Sequence, residues 1–205
     1  SLPVPPTAVI DPVSALAPFA IELADNDYTV IDNFLSIEQV LALQQEVQAM
    51  ADAEALQVAG IGADAQHQVD RSISGDRIRW IERDTCSDHL TPFLERIAHW
   101  KLCLNQSCYL GLKDYEAHYT HYPSGTHYAR HVDRFKDKDH RVISFVLYLN
   151  LNWQPQDGGE LRRYPNGSGV VDLAPLAGRL VSFRADVLPH EVLTVNTSRY
   201  SITGW

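Results

Sequence analysis

The feature that most constrains this chain is the spacing of turns in its C-terminal half. From Cys108 to Trp205, short runs rich in β-branched and aromatic residues are cut by Pro123-Ser-Gly125, Asp157-Gly-Gly159, Pro165-Asn-Gly167 and Ala177-Gly178. The runs are 108–112, 114–122, 127–132, 142–150, 159–164, 169–173, 179–184, 189–195 and 199–204. Each is too short for a stable helix, and many short strands with Gly/Pro turns pack as a sandwich or barrel. The expected class is mainly β, with N-terminal helices packed on one outer face and a jelly-roll core.

The N-terminal half follows a different period. Ser36-Ile-Glu-Gln39 reads as a capping box. Val40, Leu43, Val47 and Met50 then recur at helical spacing, which predicts a helix over about 36–55. A second helix is expected over 88–102, with Leu90, Phe93, Leu94, Ile97 and Leu102 on its apolar side. A shorter one is expected over 14–24, begun by Ser14 and weakened by Pro18. Strands are expected at Tyr28-Thr-Val-Ile31 and at Gly75-Asp-Arg-Ile-Arg-Trp-Ile81, separated by a long loop over 57–75. The prolines at 3, 5, 6 and 12 make 1–13 an extended arm. With no repeat and no linker, 14–205 reads as one domain, helical support over 14–107 and jelly roll over 108–205.

Charge narrows the partners. The chain carries 17 Lys and Arg against 26 Asp and Glu, a net −9. That is a poor balance for general nucleic-acid binding, which rests on neutralised phosphates. No run of about 18 apolar residues occurs, so no membrane span is expected. Cys86, Cys103 and Cys108 lack Cys-x-x-Cys spacing, which removes zinc-ribbon and thioredoxin-type sites and favours a reduced, cytoplasmic setting. The start at Ser1 has no basic stretch ahead of an apolar core, so it is not a signal peptide. It also lacks an initiator methionine, and a leader removed before Ser1 is left open.

The chemistry concentrates in three places. His131-Val132-Asp133 puts an imidazole and a carboxylate on one face of a strand end. Pro189-His190 supplies another imidazole late in the β region, completing a two-His, one-carboxylate set that suits non-haem Fe(II) with open positions. Nine residues on, Arg199 offers a bidentate partner for a carboxylate. Iron held this way reduces O2 productively only when an organic donor supplies two more electrons. A 2-oxo acid does so by decarboxylating, and its far carboxylate needs a buried cation. Tyr148 is placed to hydrogen-bond the same group. His118, His121 and His127 read as packing or hydrogen-bonding residues, and Trp80, Trp100 and Trp153 as core aromatics. Arg130, Arg134, Lys136, Lys138 and Arg141 form a locally basic rim, which reads either as a solvated hairpin tip or as a docking edge for an acidic protein.

Tyr122-Pro-Ser-Gly-Thr-His-Tyr-Ala-Arg-His-Val-Asp133 resembles the site strand of the 2-oxoglutarate/Fe(II) dioxygenases. More narrowly it is similar to the prolyl hydroxylases of the oxygen-sensing (HIF) type and their bacterial relatives. Arg141 to Asn150, Trp153, Gly158-Gly-Glu-Leu161, Pro189-His-Glu-Val192 and Arg199 to Trp205 follow in the same order. The resemblance spans about 27–205. It implies a double-stranded β-helix with iron ligands His131, Asp133 and His190. It further implies that Arg199, Tyr148 and Tyr122 bind 2-oxoglutarate, and that Tyr128, Arg141, Trp205 and Arg77 line the substrate side. Fe(II), 2-oxoglutarate and O2 are the implied cofactors, with ascorbate supportive. Arg199, where many collagen-type enzymes have Lys, favours the oxygen-sensing branch, and Asp133 argues against the related halogenases. The implied activity is protein prolyl 4-hydroxylation by a cytoplasmic monomer, with elongation factor Tu the partner suggested for bacterial members and the 57–75 loop closing over the target. Two alternatives stand beside it: a dioxygenase acting on a free amino acid or small metabolite, and a non-catalytic jelly-roll module that binds a metal or oxo acid.

Overall fold

The computed structural model describes residues 2–3, 11–58, 74–134, 143–165 and 169–205. Most of the expected 57–75 loop, and Lys136, Lys138 and Arg141 of the basic rim, lie outside these residues.

The helices come first. α1 (Pro12–Ala15) starts two residues before Ser14, because the Asp11 side chain accepts from the Val13 N–H at 3.1 Å. The expected arm therefore ends at Asp11. α2 (Ala17–Asn26) carries Pro18 in its first turn, where no intrahelical N–H is required, so proline fits there rather than breaking the helix. β1 (Tyr28–Ile31) follows. α3 (Ile37–Asp52) begins at the expected capping box: Gln39 N–H donates to Ser36 Oγ at 3.2 Å and Ser36 N–H to Gln39 Oε1 at 3.1 Å. Val40, Leu43 and Val47 are fully buried along it. β2 (Gln57–Val58) and β3 (Arg77–Trp80) come next. α4 (Thr91–Cys108), preceded by a 3-10 turn at Asp88–Leu90, runs six residues beyond the expected end at 102. Trp100, Cys103 and Leu104 carry the buried stripe forward, and Tyr109, at φ 54°, stops it in the left-handed region. The strand expected at 108–112 is thus helix end and loop. Leu102 faces outward, 45% exposed.

The remaining strands match the expected sites with shorter bounds: β4 (Ala117–Tyr122), β5 (Tyr128–His131), β6 (Ser144–Tyr148), β7 (Leu161–Arg163), β8 (Val171–Leu173), β9 (Leu180–Phe183), β10 (His190–Val192) and β11 (Arg199–Gly204). They form a seven-stranded sheet, β1-β9-β6-β11-β4-β3-β2, and a four-stranded sheet, β5-β10-β7-β8, all antiparallel. This is the layout of a double-stranded β-helix.

Register sorts the large sheet into two faces, because successive residues point opposite ways. Tyr119, Phe145, Leu147, Leu180 and Ile202 belong to the core cluster shared with α3 and α4. Phe93 of α4 lies 6.1 Å from Phe145, and Trp100 Nε1 donates to Ser182 Oγ at 3.2 Å. The residues between them face the small sheet. Across strands these run as rows: Tyr122 opposite Arg199, then Thr120–Ser201–Tyr148, then Trp80–His118–Thr203–Val146. Trp80, expected in the core, is 42% exposed, because β3 lies toward the edge of the sheet with only the two-residue β2 beyond it.

Candidate active site

The small sheet brings the first two imidazoles together. His131 of β5 pairs directly with His190 of β10, so residues 59 apart in sequence sit side by side. Their rings are 4.3 Å apart. Asp133 follows β5 by two residues, and its N–H donates to Ala185 O at 2.8 Å. Its Oδ1 lies 3.1 Å from His131 Nε2 and 3.5 Å from His190 Nε2. The three ligand atoms all fall within 4.8 Å of one another.

Both rings are oriented from behind. His131 Nδ1 donates to Ala129 O at 2.7 Å and His190 Nδ1 to Leu188 O at 2.8 Å. A carbonyl only accepts, so each Nδ1 carries a proton and each Nε2 is the atom that faces Asp133. Tyr128 stacks on His131 at 3.9 Å and 20°, and Phe183 meets His190 edge-on at 5.0 Å. Burial pushes the Asp133 carboxyl upward, but the two imidazoles outweigh it and hold the group at about 2. An ionised carboxylate and two imidazoles whose Nε2 atoms converge on it are a donor set for a divalent transition metal, and one that leaves part of the coordination sphere open.

The second part of the site lies on the inner face of the large sheet. Arg199 is 4% exposed and forms no ion pair with a carboxylate among the described residues. Its Nε donates to Gly159 O at 2.8 Å, and its guanidinium lies 5.0 Å from the Tyr122 ring and 5.1 Å from the Tyr148 ring. Gly159, at φ +76°, is the residue this approach allows: a Cβ there would stand 2.8 Å from Arg199 Cδ. Tyr148 Oη and Ser201 Oγ are buried without a hydrogen bond of good geometry. Burial pushes the Tyr148 phenol up against the pull of Arg199, so it stays a neutral donor. A buried cation with no carboxylate partner among the described residues, beside two orphaned hydroxyls, is suited to a carboxylate from a small molecule.

The other expected residues fall as follows. His118 and His121 are held by protein partners: His118 Nδ1 is 2.8 Å from Thr120 Oγ1, and His121 Nε2 is 2.9 Å from Ser198 Oγ. Trp205 packs with Trp80 (6.0 Å) and His118 (5.6 Å) at the end of β11 away from Arg199. Arg77 is exposed and pairs with His121, hence on the opposite side of the sheet from Tyr122. Arg141 lies outside the described residues. A cavity of about 470 Å³ lies between α3 and the ends of β6 and β11, lined by Gln44, Gln48, Asp52, Trp153, Tyr200 and Arg199 among others; no triad ligand touches it. Among the described residues, the buried acid with no expected role is Asp76, 7% exposed, whose Ser74 partner is also buried.

Residues 117–205, which carry the triad, Tyr122, Tyr148 and Arg199, match the 2OG-Fe(II) oxygenase superfamily. Human prolyl hydroxylase EGLN3 is 32% identical over 187 residues, covering 87% of this chain and 77% of that one. The chain belongs to the 2OG-Fe(II) oxygenases, among the prolyl hydroxylases of the HIF type. A Pseudomonas putida prolyl-4-hydroxylase superposes with a TM-score of 0.82 at 39% identity, covering 93% of this oxygenase and 97% of that structure. A Trichoplax adhaerens prolyl hydroxylase, solved in complex with a hypoxia-inducible factor oxygen degradation domain peptide, gives 0.76 at 30% identity over 94% and 89%. The oxygenase spans 26% to 54% of the length of several other curated relatives, each 32% identical to it. The family's reagents are Fe(II), 2-oxoglutarate and O2, and the open triad beside a buried carboxylate receptor fits the first two. No helix among the described residues is long and apolar enough to cross a membrane.

Proposed function

We propose that this oxygenase is a protein prolyl 4-hydroxylase. The observation that carries the reading is the pairing of an open His131/Asp133/His190 triad with a buried Arg199 that has no carboxylate partner among the described residues, beside Tyr148 and Ser201 hydroxyls that lack a hydrogen bond there. The kinship with prolyl hydroxylases, one of them solved with a peptide bound, selects a prolyl residue in a protein over a free metabolite.

In this reading His131, Asp133 and His190 hold iron. Bound there, iron supplies the redox chemistry that couples oxidative loss of CO2 from 2-oxoglutarate to insertion of one oxygen atom at C4 of a proline. The chain's own work is to position. Arg199 pairs with the far carboxylate of 2-oxoglutarate, and Tyr148 donates to the same group. Tyr122 closes the pocket over the guanidinium. Tyr128 braces the His131 ring and separates co-substrate from target. Trp205 and Arg141 take the target side in the same proposal; Arg77 does not, because it stands on the opposite face of the sheet from Tyr122. The finer assignments are a cytoplasmic, monomeric enzyme whose target is elongation factor Tu, supported by the bacterial kinship alone.

The test is mass spectrometry of a bacterial cytosolic extract treated with the protein, Fe(II), 2-oxoglutarate and ascorbate, beside a His131→Ala control. One prolyl peptide gaining a single oxygen only with the intact triad is the expected result. Succinate release without any modified protein would transfer the activity to a small molecule. Iron and 2-oxoglutarate binding with no succinate at all would leave a binding module.

A further inference from the structure

We propose that Asp76 is a positioning residue of the co-substrate pocket, a fixed buried carboxylate that limits how tightly Arg199 holds an incoming carboxylate. The inference rests on reading Arg199 as the partner of a 2-oxo dicarboxylate.

The geometry comes from register. Arg77 of β3 stands opposite His121 of β4, and Ile78 opposite Thr120. Asp76 lies one residue before the first paired position of β3, which continues this ladder toward the row of Tyr122, and Tyr122 is itself opposite Arg199. Parity puts Asp76 on the inner face with them. The row therefore reads Asp76, Tyr122, Arg199 across three adjacent strands: an acid and a base on either side of one phenol.

The acid is held firmly. Asp76 is 7% exposed, and Ser74, 1% exposed, donates its hydroxyl to the carboxylate. Ser74 bridges to Tyr128, the residue stacked on His131. Gly75 N–H donates to His127 O at 3.0 Å, and a Cβ on Gly75 would meet Thr126 Cβ at 2.6 Å. The three-residue stretch is therefore clamped against the start of β5, and the carboxylate cannot swing out to water. Burial is the main influence on its protonation and raises its pKa; among the charges that oppose this, Arg199 acts more strongly than His131. In turn Asp76 is the strongest charge acting on the fully buried Tyr122 phenol and reaches Tyr128 as well.

The ionised form of Asp76, disfavoured by burial and favoured by the Ser74 hydroxyl and the Arg199 charge, does two things without a direct ion pair to Arg199. Before co-substrate arrives, Asp76 offsets part of the Arg199 charge across the Tyr122 ring, which lowers the cost of keeping a cation in the barrel. Once a dicarboxylate docks, its far carboxylate takes the guanidinium directly and meets Asp76 as a like charge. Asp76 thus weakens co-substrate binding and keeps it exchangeable, and it selects against additional negative charge at that end of the pocket.

The test measures dissociation constants on Mn(II)-loaded protein, by tryptophan fluorescence or calorimetry, so that turnover is not the readout. The ligands are 2-oxoglutarate and 2-oxobutyrate, which shares the oxo-acid end and lacks the far carboxylate. Asp76→Asn is expected to tighten 2-oxoglutarate on the order of tenfold while shifting 2-oxobutyrate by no more than about twofold. Asp76→Ala, which carries no amide to form new bonds, is expected to move the ratio the same way. Asp76→Glu, which keeps the charge, is expected to stay near the parent. An unmoved ratio, or weaker binding of both ligands with a lowered melting temperature, overturns the proposal. Failure of both neutral variants to fold also overturns it, since Asp76 is then structural. If the parent protein itself does not bind 2-oxoglutarate, it is the proposed function that falls.

Discussion

The two faces of the seven-stranded sheet share the same strands and hold opposite populations. Toward the helices stand Tyr119, Phe145, Leu147, Leu180 and Ile202, all buried and packed on α3 and α4. Toward the small sheet stand Thr120, Tyr122, Tyr148, Arg199 and Ser201, equally buried and mostly polar. Burial of a large apolar side chain contributes about 1.5–3 kcal/mol, whereas a buried hydroxyl with no partner costs about 1–3 kcal/mol. The helix-side face therefore stabilises the fold, and the inner face, beside the buried Val181 and Phe183, holds Tyr148 and Ser201 hydroxyls that no described residue satisfies. Alternation along a strand lets adjacent residues serve these separate ends: Tyr200 stacks on His121 outside while Arg199 and Ser201 point inward.

That contrast makes measurable demands. The largest effect belongs to the outer face. Phe93→Ala, at a fully buried site against Phe145, is expected to cost about 4 kcal/mol of stability. For a chain of this size that is a melting temperature lower by roughly 10 °C. Calorimetry checks it, and the folded fraction should bind Mn(II) and 2-oxoglutarate with unchanged constants. Arg199→Met reverses the pattern: titration should show 2-oxoglutarate weakened by about a hundredfold, with metal affinity intact and stability little altered. A collapse of stability equal to that of Phe93→Ala would erase the distinction between the faces. Tyr148→Phe sharpens it at smaller scale. Removing an orphaned buried hydroxyl is expected to leave the melting temperature level or slightly raised, while 2-oxoglutarate weakens about fivefold to tenfold.

The smallest effect lies at the edge of the triad. Asp133 is held near 2 in the folded chain, below the ordinary unfolded value of about 3.9. Its pairing with the imidazoles thus adds stability that is complete above about pH 4 and is lost as pH falls through 2. An acid titration of metal-free protein should show this loss between those limits, and Asp133→Asn should flatten it. A variant curve identical to the parent's would mean the carboxylate is not paired in the apo state.

Much of this was readable in one dimension. The capping box at Ser36 and Gln39, the helical period of Val40, Leu43 and Val47, and the turn-punctuated strands all rest on contacts a few residues apart. The triad was legible for a related reason: His131 and Asp133 share a strand end, and His190 opens the strand that follows Pro189. The errors have an equally local cause. A helix end at 102 and a strand at 108–112 were expected because the apolar stripe thins after Leu102, but α4 continues on Trp100, Cys103 and Leu104 packing inward. Trp80 reads as core by its side chain and is exposed by its strand's place near the sheet edge.

Asp76 marks the boundary between the two kinds of knowledge. In the expected strand Gly75–Ile81 nothing in the sequence singles it out as buried. It becomes a buried neighbour of Tyr122 and Arg199 only when β3 pairs with β4 and β4 with β11, contacts that span about 45 and 80 residues of chain. By itself the sequence determined which residues are capable of the chemistry, the helix caps, the turns and the class of fold, because propensity and period act over a few residues. Which face each side chain occupies, which hydroxyls are left without partners and which acid stands beside the buried arginine were decided by the tertiary structure. Strand register between distant segments sets these, and a shift of one residue would exchange the two faces of the sheet.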